Sequence, residues 1–139
     1  MMTISPDTNG KTYHGGCHCG AVTFVINGPL RAVRVCHCRD CLKLAGFTWS
    51  ATNVPDDQIT FTAGEEMIDW YQSSDIAVRG FCKSCHSQMF YRLHGTTALS
   101  VAPGALDNHD GLEVEGHIWR KGAPHICRGL DALDDLNDK

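Results

Sequence analysis

A mostly β fold with little helix is predicted from three observations on the sequence. Short segments rich in β-branched and aromatic residues recur along the chain, and several show partial alternation of apolar and polar positions. Turn-forming residues, such as Val54-Pro55-Asp56-Asp57 and Pro103-Gly104, separate these segments at intervals of roughly ten residues, as in a meandering antiparallel architecture. Helical periodicity is weak. With 139 residues, the chain has the length of one domain.

Five segments have the composition and length of β-strands. They are Ala21–Asn27, Gln58–Thr62, Met67–Gln72, Gln88–Leu93 and Leu112–Trp119. One or two helical turns are predicted over Arg39–Ala45. The tail from Leu130 to Leu136 places acidic residues between three leucines, a weak amphipathic pattern that is compatible with a short helix or with a frayed end.

The charge and hydropathy of the chain exclude some classes of partner. The net charge of −4 and the pI of about 6.0 argue against nucleic acid, because phosphate binding usually requires a basic patch. Residues 1–16 lack the apolar core of a secretion signal, and no stretch approaches the roughly 18 apolar residues of a membrane span. We therefore expect a soluble, cytoplasmic protein. No feature of the sequence indicates its oligomeric state.

Seven of the eight cysteines fall into three short groups, which is the strongest signal in the sequence. The groups are Cys17-His18-Cys19, Cys36-His37-Cys38-Arg39-Asp40-Cys41 and Cys82-Lys83-Ser84-Cys85. Zinc holds thiolate sulfurs at roughly 2.3 Å in a tetrahedron, and short gaps in the sequence bring two sulfurs onto one ion. Four ligands complete a structural site. Three leave a second ion with an open position, as expected of a metal that does chemistry.

The four-ligand site is best assembled from Cys17, Cys19, Cys82 and Cys85. Alternate residues of a strand share a face, so the first two cysteines need only a slight curl to meet one metal. The segment from Phe81 to His86 resembles a zinc knuckle, in which a tight turn presents two sulfurs. A metal that joins the two groups closes a loop of roughly 65 residues and stabilises the fold by restricting the unfolded chain.

Cys36, Cys38 and Cys41 remain, and their CxCxxC spacing can place three sulfurs around one ion. The fourth position then belongs to water, to a substrate or to a distant residue. Three thiolates give the zinc unit a net charge of about −1, which disfavours hydrolysis. Such an ion suits an added sulfur ligand, held deprotonated as a nucleophile. We therefore predict these three cysteines as the catalytic metal ligands.

Other uses of the cysteines are also compatible with the sequence. Disulfides would be strained between residues so close together, and redox pairs would sit in a βαβ unit that the chain does not show. All seven grouped cysteines could be structural, with His18, His37, His86 or another residue completing the second site. Between two ligating cysteines, however, His37 would point away from their metal. The remaining cysteine, Cys127, is expected to be a small buried apolar side chain.

Two basic and three aromatic residues are candidates for a substrate pocket. Arg39 and Lys43 could meet the carboxylate of a thiol, although exposed basic residues are usually only solvated. Phe47, Trp49 and Trp119 could wall an apolar pocket, although aromatic residues on strands more often belong to the core. We leave all five outside the predicted site.

The order of the motifs resembles that of a known family. The segments are Gly15 to Val22 (GGCHCGAV), Cys36 to Lys43 (CHCRDCLK), Phe81 to Cys85 (FCKSC), Gly104 to Asp107 (GALD) and His117 to Trp119 (HIW). In that order they resemble the glutathione-dependent formaldehyde-activating enzyme family, which includes the relatives of centromere protein V. The resemblance spans roughly residues 13–125. We therefore take residues 1–139 as a single zinc-binding domain of this type, with its core at about 13–125.

The resemblance implies an Mss4-like fold of several coiled antiparallel β-sheets. It implies two zinc ions per chain, a structural one held by the cysteines at positions 17, 19, 82 and 85 and a catalytic one held by those at 36, 38 and 41. The activity that it implies is that of S-(hydroxymethyl)glutathione synthase, a carbon-sulfur lyase by formal class, which joins formaldehyde to the glutathione thiol.

Two positions depart from the pattern of that family. His86 follows Cys85 where the family usually has glycine, and a zinc knuckle often needs a left-handed backbone there, which histidine adopts at some cost. After Trp119 the chain reads Arg120 to His125 (RKGAPH), where many members carry a serine-lysine pair and a tryptophan. The second departure bears on glutathione as the substrate more than on the zinc sites.

We thus expect a zinc-dependent, carbon-sulfur lyase-like enzyme. Its substrate would be glutathione or a related small thiol, as the adduct of formaldehyde or another carbonyl, bound at the three-cysteine zinc. The alternative is a non-enzymatic, zinc-stabilised module for protein interactions. Iron is an alternative to zinc as the bound metal, because four thiolates suit both ions. Metal storage is disfavoured because 42% of the residues are hydrophobic, enough for an ordinary core.

Overall fold

The alternating segments of the sequence form twelve strands and one α-helix in a computed structural model, which describes residues 3–136. The strands are β1 (Ile4–Ser5), β2 (Thr12–Gly16), β3 (Thr23–Asn27), β4 (Leu30–Arg31), β5 (Val33–Cys36), β6 (Trp49–Pro55), β7 (Ile59–Ala63), β8 (Ile68–Ser74), β9 (Ala77–Cys82), β10 (Gln88–Leu93), β11 (Ala98–Val101) and β12 (Val114–Ile118). The helix α1 spans Arg39–Ala45. A mostly β fold with several sheets and little helix is therefore confirmed.

Each of the five predicted strands corresponds to an observed one, and their ends differ by at most two residues: they are β3, β7, β8, β10 and β12. Of the seven other strands, four are missed by the pattern for local reasons. β1 and β4 have only two residues each. β6 runs on to Pro55 before the turn that the sequence indicates, and β9 carries Arg79 and Gly80 in its interior. A charged residue and a glycine are both uncommon in the interior of a central strand.

The strands form three sheets. The largest has the order β12-β5-β6-β11-β10-β9-β8, the second has the order β2-β3-β7, and the smallest pairs β1 with β4. Among the described residues, neighbouring strands are antiparallel except β5 and β12, which run parallel. Parallel neighbours require a long crossover, and here most of the domain lies between the two strands. The expectation of antiparallel sheets is therefore wrong for this pair.

The parallel pairing decides what lies at one edge of the large sheet. Strands that run in the same direction end at the same edge, and Ile118 of β12 lies opposite Cys36 of β5. The residues that follow the two strands, from His37 and from Trp119, are therefore neighbours. This brings the second cysteine group and the HIW motif together.

The core lies between the two larger sheets. Phe24 of β3, Phe61 of β7 and Phe90 of β10 contact one another at centroid distances of 5.4–6.2 Å. Trp70 of β8 stacks on Phe90 of β10 across the intervening strand β9. Gly80 of β9 lies between the two rings in the register, and a Cβ at that position would come within 3.0–3.1 Å of both. The absence of a side chain at Gly80 therefore allows the contact. Phe24 and Phe90 are fully buried, and each contributes about 1.5–3 kcal/mol to stability by that burial. These rings hold the two sheets together.

The predicted helix is confirmed over Arg39–Ala45, and its ends have clear causes. Cys38 caps the N-terminus, and Gly46 ends the helix in a left-handed conformation with φ of 89°. The C-terminal tail forms only a short 3-10 turn at Leu130–Ala132. Leu133 and Leu136 are 71% and 86% exposed, so a packed amphipathic helix to Leu136 is not formed.

Candidate metal centres and the adjoining cavity

Four cysteines meet where the chain leaves β2 and β9. Cys17 follows β2 directly, and Cys82 is the last residue of β9. The ligand atoms of Cys17, Cys19, Cys82 and Cys85 all lie within 4.8 Å of one another. The Sγ atoms of Cys17 and Cys19 are 3.6 Å apart, and those of Cys19 and Cys82 are 3.8 Å apart. Sulfurs at the corners of a zinc tetrahedron lie about 3.8 Å apart, so this cluster fits a closed zinc site.

Hydrogen-bond donors lie close to the sulfurs of Cys82 and Cys85. The backbone amides of Ser84 and Cys85 each lie 3.4 Å from the Sγ atom of Cys82. The Ser87 hydroxyl lies 3.1 Å from the Sγ atom of Cys85, and this contact is the main cause that lowers the pKa of Cys85 to about 5. Because the thiolate is the form that binds metal, these donors prepare the cluster for a cation.

The turn that carries Cys82 and Cys85 includes a histidine with a left-handed backbone. His86 has φ of 66°, as its position in the knuckle indicates, and its amide donates to the Cys82 carbonyl at 2.9 Å. Its side chain is exposed and does not join the cluster. A residue with a Cβ in this conformation is destabilised by roughly 1 kcal/mol relative to the right-handed one.

Replacing His86 by glycine should therefore raise the free energy of unfolding by up to about 1 kcal/mol, because glycine adopts this backbone without a Cβ contact. Urea unfolding of the zinc-loaded protein measures the difference. His18→Gly is the matched control, since His18 is also exposed beside cysteines of the same cluster but has no left-handed φ. Glycine should be neutral or destabilising there, and equal gains at both positions would contradict a conformational origin.

The other three grouped cysteines meet at the junction of β5 and α1. Cys36 ends β5, Cys38 caps the helix and Cys41 lies in its first turn. Their ligand atoms also lie within 4.8 Å of one another. The Cys41 amide donates to the Cys38 Sγ atom at 3.3 Å, so the start of the helix sets the spacing of these sulfurs. Within residues 3–136, no further cysteine, histidine, aspartate or glutamate joins them as a potential ligand.

The donor chemistry of this second cluster fits a thiolate-bound metal with one position left for an outside ligand. A hydrogen bond from Cys36 is the main cause that lowers the pKa of Cys41 to about 5, and the guanidinium of Arg79 contributes in the same direction, against the effect of burial. Cys36 retains its proton correspondingly more strongly, and its pKa is raised.

The histidines within the cysteine groups lie outside both clusters. His37 is 1% exposed, and its Nε2 atom lies 2.8 Å from the Nδ1 atom of His117 on β12. His18 is exposed on the loop after β2. None of these side chains supplies a fourth ligand to the second cluster. Cys127 is 1% exposed and belongs to neither cluster, in keeping with a small buried apolar residue.

A cavity of about 190 Å³ opens onto the three-cysteine cluster. The register of the large sheet builds its walls, because Cys36 lies between Trp49 of β6 and Ile118 of β12. The walls combine aromatic rings with cations: Trp49, Tyr91 and Trp119, and Arg31, Arg34 and Arg79. The cavity therefore offers an apolar surface and positive charge beside the sulfurs.

The candidate pocket residues of the sequence are only partly those of the structure. Trp49 is half-buried and Trp119 is 73% exposed, and both line the cavity, so assigning strand aromatics to the core is wrong for these two. Phe47 does not line it. Arg39 and Lys43 are exposed and also lie outside its walls, although Arg39 lines a neighbouring cleft that shares Trp119.

The three arginines of the cavity were not indicated by any motif. Arg31 donates from Nη2 to the Ala51 carbonyl at 2.8 Å, and burial, followed by the nearby charge of Arg34, lowers its pKa to about 10. Arg34 forms an ion pair with Glu115 at 2.9 Å. Arg79 is buried and donates from Nη1 to the Cys41 Sγ atom at 3.5 Å. A charged residue in an otherwise apolar strand was the one available signal for Arg79.

Comparison with known proteins agrees with the motifs and the geometry. The model of the family described as glutathione-dependent formaldehyde-activating enzyme matches residues 12–122. The chain belongs to this family. A relative in Colletotrichum graminicola, named "Putative glutathione-dependent formaldehyde-activating enzyme", is 30% identical over 152 aligned positions, which cover 95% of this chain and 80% of the relative.

The fold also resembles a solved structure. A crystal structure of a Rhodobacter sphaeroides protein superposes with a TM-score of 0.58 at 24% identity, and the match covers 68% of this chain and 88% of that chain. At this identity the likeness concerns the fold alone.

In the part of the chain that the structure describes, no helix has the length and apolar character needed to cross a membrane. The family assigned from the sequence is confirmed.

Proposed function

We propose that the chain is a zinc-dependent enzyme with carbon-sulfur lyase-like activity. It holds a structural zinc at the four-cysteine cluster and a catalytic zinc at Cys36, Cys38 and Cys41. One observation carries the proposal: three thiol ligands, with no fourth ligand from residues 3–136, face a cavity. When bound there, zinc would accept a sulfur from outside and hold it deprotonated.

The proposed substrate is glutathione, or a related small thiol, together with formaldehyde or another carbonyl. Family membership and the name of the Colletotrichum relative support this choice. The thiol sulfur loses its proton and forms a bond to the carbonyl carbon, while the C=O π pair moves to the oxygen, which takes up a proton. Glutathione and formaldehyde thus give S-(hydroxymethyl)glutathione. The reverse elimination is the lyase direction, and neither direction needs an oxidant or a reductant.

The cavity admits the reacting end of such a substrate rather than the whole of it. Its volume of about 190 Å³ is below the roughly 300–1,000 Å³ of common ligand pockets. The remainder of the thiol would lie past Trp119, along the neighbouring cleft lined by Arg39 and Lys121. Cations in the cavity and in the cleft favour a thiol that carries carboxylates, and glutathione is one of these.

We further propose that the protein acts in the cytoplasm as a single zinc-binding domain over residues 1–139. All eight cysteines are free thiols, and seven of them lie in the two clusters. Thiol clusters persist in reducing compartments, whereas oxidising ones favour disulfides.

A thiol titration of the cobalt-loaded protein tests this function. Glutathione and 2-mercaptoethanol should each produce new sulfur-to-cobalt absorption that saturates, and the zinc form should accelerate adduct formation with formaldehyde above the uncatalysed rate. Trp119→Ala should weaken thiol binding about three- to tenfold through the loss of one aromatic wall. Val114→Ala is the matched control, because Val114 is exposed on β12, the strand that leads into Trp119, and does not line the cavity.

The alternative function is a non-enzymatic zinc-stabilised module for protein interactions. It predicts that no small thiol changes the cobalt spectrum and that the formaldehyde reaction proceeds at the uncatalysed rate. That pair of results would refute the enzymatic proposal.

A further inference from the structure

Arg79 is a buried cation on β9, with 3% of its surface exposed. Among residues 3–136, no carboxylate lies within ion-pair distance of it. Burying a guanidinium without an anionic partner is strongly unfavourable, so the fold must supply negative charge by another route. The Cys41 sulfur, 3.5 Å from Nη1, is the group in a position to do so.

The guanidinium is held in one orientation from several sides. Its Nε atom donates to the Ser73 hydroxyl at 3.2 Å. Its Cζ atom lies 5.1 Å from the centroid of the Tyr91 ring and 6.0 Å from that of Trp49. Tyr91 is the direct neighbour of Arg79 across β10 and β9, so the sheet register itself keeps the ring and the cation together. Turning the guanidinium of Arg79 away from the sulfurs would therefore break these contacts and be energetically unfavourable.

The charge of the second cluster explains what such a cation can do. A divalent ion with three thiolates carries a net charge of about −1, and a thiolate from outside would raise this to about −2 in a partly enclosed cavity. The nearby positive charge of Arg79 offsets one of these charges. Its positive charge therefore stabilises the complex with an anionic ligand more than the complex with a neutral one.

We propose that Arg79 is the positioning residue of the three-cysteine cluster, whose fixed positive charge allows the cluster to accept an additional anionic sulfur. This assignment rests on the proposed function. Arg79 acts through Cys41 and through the local field, and it does not itself react with the substrate.

The test uses Arg79→Met, which keeps much of the length and loses the charge, and Arg79→Lys, which keeps the charge and loses the planar fork. Arg92→Met is the matched control, because Arg92 lies on β10 and pairs with Asp56 away from the cavity. Competition with a chromophoric chelator should show zinc affinity at the second site 10- to 100-fold weaker in Arg79→Met, less affected in Arg79→Lys and unchanged in the control.

A second readout separates charge from mere structural support. Cobalt-saturated proteins are titrated with 2-mercaptoethanol, which binds as a thiolate, and with imidazole, which binds as a neutral ligand. Arg79→Met should lose at least tenfold more affinity for the thiol than for imidazole. Equal losses for the two ligands, or no loss, would overturn the assignment.

The outcomes remain distinguishable if a variant misfolds. Retention of one zinc and of the far-UV circular dichroism spectrum identifies a folded Arg79→Met protein. If it fails to fold, Arg79→Gln, which loses the charge but keeps a polar hydrogen-bonding group, takes its place: it should lose at least tenfold more affinity for the thiol than for imidazole, and equal losses or no loss would overturn the assignment. A parent protein that binds no thiol would refute the proposed function, while the zinc competition would still test Arg79.

Discussion

Cys19→Ser should remove most of the stability of the domain. Cys19 is exposed, so the substitution removes a zinc ligand without opening a cavity in the core. Structural zinc contributes about 10–16 kcal/mol in small zinc-binding peptides, comparable with the whole stability of about 5–15 kcal/mol of a typical domain. A loss of about 5 kcal/mol, with the remaining three thiolates still holding some metal, would lower the unfolding temperature by about 15–20 °C.

Thermal unfolding followed by circular dichroism, with zinc content measured on the same samples, checks this result. His18→Ser is the matched control, because His18 is exposed next to Cys19 and contributes no ligand to the cluster. It should leave both the zinc content and the unfolding temperature unchanged. If Cys19→Ser unfolds at the temperature of the parent, the packed sheets alone support the fold and the structural role of this cluster is wrong.

The two cysteine clusters could be predicted from the sequence because their geometry is largely local. Cys36, Cys38 and Cys41 lie within one strand end and one helical turn, so their spacing in the sequence nearly determines their spacing in the fold. The four-cysteine cluster needed only two such half-sites and the rule that tetrahedral zinc takes four ligands. The helix Arg39–Ala45 followed for the same reason, since its cap and its end are both encoded nearby.

The cavity could not be predicted in this way because its walls come from distant parts of the chain. Trp119 reaches Cys36 and Cys38 through the parallel pairing of β12 with β5, and no local pattern distinguishes that pairing from a hairpin. Arg79 lies on a strand that the alternation rule misses because of its charge. The charge of Arg79 therefore both hides the strand from the alternation rule and contributes a cation to the wall of the cavity.

β9 connects the two cysteine clusters physically. Arg79 contacts the three-cysteine cluster, and Cys82, three residues later, belongs to the four-cysteine cluster. Cross-strand contacts with Tyr91 hold the strand between them in register. A metal bound at Cys82 would therefore stabilise the strand that positions Arg79. Loss of the four-cysteine cluster is expected to weaken thiol binding at the three-cysteine cluster. Loss of the three-cysteine cluster should leave the four-cysteine cluster intact.

Cys38→Ser provides the other half of this asymmetry and should reduce the zinc content from about two ions per chain to about one while the fold is retained. Cys38 is both a predicted ligand and the N-cap of α1. Serine is among the best N-cap residues, so the helix should still begin at the same place even though the thiolate is lost. Thiol-induced changes in the cobalt spectrum should disappear with the second metal.

Elemental analysis and circular dichroism of the purified variant measure these two effects together. Cys127→Ser is the matched control: it makes the same chemical change at a cysteine outside both clusters, so about two zinc ions should remain. A Cys38→Ser protein that retains both ions would show that Cys38 is not a ligand. One that loses all metal and unfolds would show that the three-cysteine cluster supports the fold, which would reverse the assignment of structural and catalytic roles.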